Sequence, residues 1–346
     1  MIHLQYHNLR LRGLALVIVI ASWLPWLSTV RAQSVEAARL HAVIVNGGRN
    51  KLTNHERYWN DCAFLYRTLR HTYHIPLRNI TVLMSDGGDT ADDMIRADGW
   101  GFRSSLTDLD GDGQPDVNYS AKREILVSVL YDLSKKLTTN DHLFLFFVDH
   151  GGSTDHLSDS FIWLWNDEKM EDYALAMLLR LFNVASMNIL MGQCYSGGFI
   201  EELAREGRIM STSCCGNEQS WASPNHEYDE FVYHWICAIN GADEKGRPID
   251  ADTDHNGEVS MAEAFEYARS HDRVNETPQY ASWPEQLGRQ WTFAKANLGT
   301  LGIREVLAES NEPEEIWTLS GVRCQDTSKH AVYILRQGGK TRKVIR

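Results

Sequence analysis

Residues 142–148 read HLFLFFV, an apolar run of seven residues that is followed by Asp149, His150 and two glycines. Such a run is too short to cross a bilayer, which takes about 20 residues in a helix. A strand that is apolar on both of its alternating faces must be covered on both sides, as in the centre of a parallel sheet packed between helices. The run therefore predicts an α/β core built around this strand.

Shorter apolar runs alternate with helical patterns along the rest of the chain. We predict four further buried strands and four helices: strands at residues 41–46, 79–84, 188–191 and 208–213, and helices at 56–73, 121–137, 173–182 and 199–206. A small added strand is expected at 161–165 and helices at 228–240 and 260–270, after which the pattern becomes irregular. This alternation is typical of a doubly wound, mostly parallel sheet with helices on both faces.

Two reactive side chains follow predicted strands. His150 comes directly after the apolar run, and Cys194 comes shortly after the strand at 188–191. Because the carboxyl ends of parallel strands open at one edge of a sheet, we expect the imidazole and the thiol to face each other if these strands are neighbours. The histidine would serve as base and then as acid, while the helix at Phe199 is expected to favour the attacking thiolate. The N–H groups of Cys194 and Gly151 are candidates for an oxyanion hole.

The chain has six cysteines, spaced neither as a disulfide framework nor as a zinc site. Most of them are expected to be buried thiols, and a lone histidine at a strand end is usually structural. What favours a nucleophilic pair is that His150 and Cys194 both lie in glycine-flanked turns after buried strands.

The segments around these two residues resemble the legumain family of cysteine peptidases, particularly its bacterial members, within the caspase-like clan. The resemblance rests on the strand ending in DHG at Gly151 and the strand followed by QCYSGG at Cys194, and it extends over roughly residues 41–294. It implies a caspase-like α/β fold, a dyad of His150 and Cys194, and cleavage of peptide bonds after a preferred side chain. By position, Asn54 resembles the residue that orients the histidine.

The resemblance also implies a primary specificity pocket lined by Arg57, Ser220 and Asp229. One position departs from the family pattern, since Gly192 stands where the family usually has an acidic residue two places before the cysteine. Asparaginyl specificity is therefore left open. Arg57 and Asp229 can bracket a carboxamide or select a charged side chain, and the alternative is that they form a surface salt bridge.

Two acidic loops match calcium-binding patterns. Residues 252–263 satisfy the twelve-residue EF-hand loop, and residues 108–119 repeat its beginning but have Tyr119 in place of the final glutamate. The candidate oxygen ligands are Asp252, Asp254, Asn256, Glu258 and Glu263 in the first of these loops, and Asp108, Asp110, Asp112, Gln114 and Asp116 in the second. We expect Ca²⁺ as a structural ion and no cofactor for catalysis, the alternative being acidic turns that only cap helices.

The two ends of the chain are expected to lie outside the catalytic domain. Residues 1–32 combine basic residues, an apolar stretch and a small-residue site ending at Ala32, as in a secretory signal peptide. We assign residues 33–295 to the peptidase domain, 296–312 to a linker and 313–346 to a small C-terminal β unit. That unit resembles the sorting domain of bacterial type IX secretion, which predicts a secreted or outer-membrane-surface protein.

A formal charge of −12 without clustered Lys and Arg argues against a nucleic-acid partner. The expected partners are a protein or peptide substrate and the type IX secretion machinery, with no stable transmembrane segment after processing. Two alternatives to a hydrolytic endopeptidase stay open. One is a calcium-dependent surface binding or adhesion module on an inactive peptidase-like scaffold, and the other is a transpeptidase that uses the same dyad.

Overall fold

The computed structural model describes residues 33–154 and 159–293, together with the backbone of four C-terminal strands between residues 315 and 345. The predicted signal peptide at 1–32 and linker at 296–312 lie outside the described residues.

The strands, in chain order, are β1 (Gln33–Val35), β2 (Leu40–Asn46), β3 (Ile80–Met84), β4 (Met94–Ile95), β5 (Phe102–Arg103), β6 (His142–Val148), β7 (Gly151–Ser153), β8 (Ser160–Leu164), β9 (Glu168–Glu171), β10 (Ser186–Met191), β11 (Arg208–Thr212), β12 (Gln279–Trp283), β13 (Trp291–Phe293), β14 (Glu315–Thr318), β15 (Arg323–Cys324), β16 (Val332–Gln337) and β17 (Lys340–Ile345). The α-helices are α1 (Glu56–Arg67), α2 (Arg123–Lys136), α3 (Asp172–Leu179), α4 (Phe199–Leu203), α5 (Glu230–Asn240), α6 (Met261–His271) and α7 (Glu285–Gln290).

Six strands form the central sheet in the order β12-β11-β10-β6-β2-β3. All neighbouring pairs run parallel except β11 and β12, which are antiparallel. The predicted doubly wound, mostly parallel sheet is therefore confirmed, and β6 and β10 are neighbours in it.

Strand β6 is buried along its whole length because its two faces supply two separate apolar layers. Phe144, Phe146 and Val148 pack with helices α1, α5 and α6 on one side. Leu143, Leu145 and Phe147 pack with α2, α3 and α4 on the other. The uninterrupted apolar run follows directly from this double cover.

The region after α6, expected to be irregular, contains the edge strand β12 and the short helix α7. Their sequences carried little signal, because the β12 residues are half-buried or exposed and the strand lacks a continuous apolar face. The added strand predicted at 161–165 is β8, which forms a three-stranded sheet with β7 and β9. Helix α1 ends at Arg67, and one π-helical turn carries the chain on to Thr72.

The C-terminal strands form a four-stranded antiparallel sheet in the order β15-β14-β16-β17, as expected for a small β unit. Among the cysteines whose side chains the structure describes, Cys62, Cys194, Cys214, Cys215 and Cys237 are free thiols. No helix among the described residues is long and apolar enough to span a membrane.

The double cover of β6 makes its core residues costly to truncate. We expect Leu145→Ala to lower the free energy of unfolding by about 2–5 kcal/mol, because Leu145 is fully buried and its removal leaves a cavity. Met177→Ala is the control, since that side chain is 65% exposed and such changes usually stay within about 0.5 kcal/mol. Urea denaturation measures both, and equal destabilisation by the two variants would contradict this account of the core.

Candidate active site

The register of β6 and β10 brings the predicted dyad together. Met191 pairs with Phe147, and the N–H of Gly192 donates to the Phe147 carbonyl at 2.8 Å. His150 and Cys194 each lie three residues beyond this pair. The two turns touch, because a side-chain carbon at Gly151 would lie 2.0 Å from the Cys194 carbonyl oxygen. Glycine is required at position 151 by this close approach.

His150 is held through its Nε2 atom. The carbonyl oxygen of Thr53 lies 3.0 Å from Nε2, and the Tyr58 hydroxyl lies 3.3 Å from it. A carbonyl can only accept, so Nε2 carries the hydrogen and Nδ1 is left with the free electron pair. The Thr53 carbonyl therefore sets the tautomer in which Nδ1 can take a proton.

The predicted role of Asn54 needs correction. Its side chain is fully buried, and its amide donates to the Ser85 hydroxyl at 2.7 Å and to the Asp93 carbonyl at 2.9 Å. The hydrogen bond that orients His150 comes instead from the backbone of Thr53, one residue earlier. Asn54 anchors the turn that presents this carbonyl.

Cys194 lies in a half-buried position beside Ser220. Its Sγ donates to the Ser220 carbonyl at 3.7 Å, and the Ser220 hydroxyl lies 3.9 Å from the sulfur. Burial raises the pKa of the Cys194 thiol, although hydrogen bonds from Ser220 and Gly151 oppose this. Burial also lowers the pKa of His150. Both shifts favour the uncharged forms of the two side chains.

This differs from the expectation that a helix at Phe199 favours the thiolate. Helix α4 has only five residues, and a 3-10 turn, Ser196–Gly198, separates it from the cysteine. So short a helix offers little dipole, and desolvation of the sulfur outweighs it.

The three predicted pocket residues lie around the same site. Arg57 Nε and Asp229 Oδ1 form an ion pair at 2.7 Å, and the Ser220 hydroxyl donates to the Gly192 carbonyl at 2.8 Å. Both members of the ion pair are largely shielded from solvent, so the alternative of a surface salt bridge does not hold. Burial alone would lower the pKa of Arg57, but the attraction of Asp229 outweighs it and raises that pKa.

Other residues at this site were not singled out from the sequence. Asp61 lies beneath Asp229 and accepts its backbone N–H at 3.2 Å. Burial, and then the charge of Asp229, raises the pKa of Asp61 well above its ordinary value. Tyr58 connects Arg57 to His150, and its place next to Arg57 on α1 was the only sequence signal for it.

The two acidic loops each bring three carboxylates together. The oxygens of Asp108, Asp110 and Asp116 lie within 4.8 Å of one another, as do those of Asp252, Asp254 and Glu263. Hard oxygen donors in such a set fit Ca²⁺.

The remaining predicted ligands contribute differently. The Asp112 carboxylate accepts the backbone N–H of Gln114, and the Asn256 side chain accepts that of Glu258. The Glu258 carboxylate accepts the Thr292 hydroxyl and does not join the three carboxylates of its loop; position 7 of such a loop supplies its backbone carbonyl to the ion.

Comparison with known proteins identifies the family of the chain. The model of the peptidase C13 family matches residues 40–282, most of the chain. The chain belongs to the peptidase C13 family. Membership supports a cysteine peptidase or transpeptidase-like function and agrees with the caspase-like fold.

A solved structure from Geobacter sulfurreducens, a structural genomics target, is similar to this C13 family member at 13% identity and a TM-score of 0.46. The match covers 74% of this chain and 99% of that one. So distant a likeness adds nothing to the family assignment. No curated protein matches the chain.

The neutral dyad makes a prediction for the reactivity of Cys194. Since burial holds the pKa of the thiol above its ordinary value, we expect its alkylation by iodoacetamide to keep rising with pH beyond pH 9, the usual region of thiol ionisation. Mass spectrometry of the peptide containing Cys194 measures the rate, and Cys194→Ala identifies its signal. A rate that is already maximal near pH 6 would show a thiolate–imidazolium pair and contradict the neutral dyad.

Proposed function

We propose that this C13 family member is an exported, legumain-like cysteine endopeptidase that hydrolyses peptide bonds through Cys194 and His150. The observation that carries the proposal is the geometry of His150. Its Nε2 is engaged by the Thr53 carbonyl, which leaves Nδ1 as the proton acceptor on a ring that shares one edge of the sheet with Cys194.

In the first step, the Cys194 sulfur attacks the peptide carbonyl carbon while His150 Nδ1 takes the thiol proton. Burial of both groups keeps the dyad uncharged until the substrate arrives, so proton transfer and attack occur together. In this proposal, the backbone N–H groups of Cys194 and Gly151 donate hydrogen bonds to the negatively charged carbonyl oxygen.

In the second step, the carbon–nitrogen bond breaks and His150 returns its proton to the leaving amine. A thioester with Cys194 remains. Water, deprotonated by His150, then attacks the thioester. The carbon–sulfur bond breaks, the acid is released, and His150 returns the proton to the Cys194 sulfur. An amine that attacks in place of water gives a new peptide bond, so a transpeptidase uses the same residues and is the second candidate within this family.

For the primary pocket we propose an uncharged polar side chain. Arg57 and Asp229 neutralise each other, so together they offer one donor and one acceptor to a carboxamide. A charged side chain would attract one partner and repel the other. The acidic residue usual at position 192 is replaced by glycine, and a side chain there would lie 2.6 Å from Val232 Cγ2. The pocket therefore works without that carboxylate.

The peptidase proposal is tested on peptides varied at the residue before the scissile bond. We expect cleavage by the wild-type protein, strongest after Asn or Gln, and a loss of about a thousandfold or more in Cys194→Ala because the nucleophile is removed. Mass spectrometry of the products identifies the cleaved bond.

Cys215→Ala is the matched control, since Cys215 is a half-buried thiol that makes no contact with His150 among the described residues. It should retain wild-type activity. Cleavage that survives in Cys194→Ala would exclude Cys194 as the nucleophile, and preferred cleavage after Arg or Asp would overturn the pocket assignment.

We also propose Ca²⁺ as a structural ion in both acidic loops. Backbone N–H groups, first that of Gly113, lower the pKa of Asp108 and so favour the ionised form that a cation binds. In the other loop, Glu263 also caps helix α6 by accepting the backbone N–H of Ser260 at 2.9 Å. An ion held by Asp252 and Glu263 would tie the loop to the start of that helix.

Calcium should then stabilise the folded protein. At about a hundred times its Kd, one bound ion adds about 2.7 kcal/mol, which raises the Tm of a domain of this size by roughly 5–10 °C. Thermal unfolding in calcium and in chelator measures the shift for wild type, Asp252→Asn and Asp108→Asn. Each variant should lose part of it.

Glu258→Gln is the control for these variants, because the Glu258 carboxylate contacts Thr292 and not the other acidic groups. It should keep the full calcium-dependent rise in Tm. An identical Tm with and without calcium in the wild-type protein would contradict the proposal of a structural ion in either loop.

For location, we propose export through the signal sequence at 1–32 and delivery to the cell surface or medium by type IX secretion, with residues 313–346 as the sorting unit. The basic and apolar pattern of the leader supports the first step. The four-stranded C-terminal sheet is compatible with the second.

A further inference from the structure

The imidazole of His150 packs against two aromatic rings of the segment that begins helix α1, and these two rings also contact each other. The ring centroids of Tyr58 and His150 are 5.5 Å apart and nearly perpendicular, and those of His55 and His150 are 5.4 Å apart. Burial, and then the charge of Arg57, lowers the pKa of His55 to about 4. At neutral pH, His55 therefore packs against His150 as an uncharged ring.

Tyr58 differs from His55 because it also makes polar contacts on both sides. Its hydroxyl lies 3.3 Å from His150 Nε2 and accepts Arg57 Nη2 at 2.9 Å. The Arg57 guanidinium also lies 4.5 Å from the centre of the Tyr58 ring. The side chain is almost fully buried, so its hydroxyl is shielded from bulk water. One buried oxygen thus joins the ion pair of the specificity pocket to the catalytic base.

We infer that Tyr58 is a positioning residue that holds His150 from the pocket side and transmits the position of Arg57 to it. Because the Nε2 hydrogen points to the Thr53 carbonyl, the Tyr58 oxygen is a second acceptor of the same hydrogen, in a bifurcated hydrogen bond. This stabilises the imidazolium formed when Nδ1 takes the thiol proton. The inference rests on the proposed peptidase function for its kinetic consequence but not for its effect on His150.

Several charged or titratable groups face His150 besides Tyr58. Arg57 on α1 and Arg49 in the turn after β2 oppose its protonation, and Asp149 accepts the His150 backbone N–H. His55 and Cys194 are its uncharged neighbours. Tyr58→Phe leaves all of these in place and removes only the hydroxyl, so its effect on His150 is specific.

The test compares Tyr58→Phe with Tyr73→Phe. Tyr73 is also buried, but its hydroxyl donates to the backbone carbonyl of Ile239 and contacts neither Arg57 nor His150 among the described residues. We expect Tyr58→Phe to lower the pKa of His150 by about half a unit and kcat by about tenfold, because a hydrogen bond to the charged form is lost. KM should change less than twofold, since Arg57 and Asp229 remain paired. Tyr73→Phe should change none of these.

The pKa is read by NMR titration of the histidine ring carbons, with His150→Gln assigning the signal. This measurement needs no turnover, so the two proposals fail separately. No cleavage by the wild-type protein would overturn the peptidase, whereas an unchanged His150 pKa in Tyr58→Phe would overturn the positioning role.

The link to Arg57 is tested by combining Tyr58→Phe with Arg57→Lys, which keeps the charge but loses the Nη2 contact. The cost of Tyr58→Phe in kcat should shrink at least threefold in this background if both act through one contact. If the two substitutions lower kcat by independent factors, Tyr58 and Arg57 do not act on His150 through one contact.

The wild-type protein alone gives a further check if a variant does not fold. Nitrogen shifts of His150 should report hydrogen on Nε2 and none on Nδ1 at neutral pH. Hydrogen on Nδ1 would overturn the inference.

Discussion

The parallel pairing of Phe147 with Met191 determines where the reactive groups of this protein can lie. Both strands are covered on two faces, and each residue step along them changes the layer into which a side chain packs. A shift of one residue between β6 and β10 would send every core side chain to the wrong layer. The register is therefore fixed by the whole core. It also fixes the positions of His150 and Cys194, which each lie three residues beyond this pair.

Burial at the end of the sheet also decides the electrostatics of the dyad. The sulfur and the imidazole each lose hydration. Among the described residues, the cations Arg57 and Arg49 act on His150 in the direction that disfavours its protonation. Hydrogen bonds from Ser220 and Gly151 favour the Cys194 thiolate less than burial disfavours it. In the proposed mechanism, charge separation therefore follows substrate binding.

Much of this arrangement can be read from the sequence, and what cannot has identifiable physical causes. The apolar run at β6 and the glycine turns predict the sheet and the dyad, because strand periodicity and turn chemistry are local. The Thr53 carbonyl is a backbone group that any residue could supply, so the motif pointed to Asn54 instead. Strand β12 was missed because an edge strand with half-exposed residues has no continuous apolar pattern.

The residues of the proposed specificity pocket are brought together by long-range contacts, which local sequence patterns do not reveal. Arg57 comes from α1, Asp229 from the turn before α5 and Ser220 from the loop between β11 and α5, and no local pattern states that the first two form an ion pair. Gly192 stands where the family usually has an acidic residue, and it packs against helix α5. Val232 of α5 fills the space that a side chain at position 192 would occupy. A carboxylate at position 192 would first require Val232 to move. The charge of the proposed pocket thus depends on the packing of α5 as well as on Arg57 and Asp229.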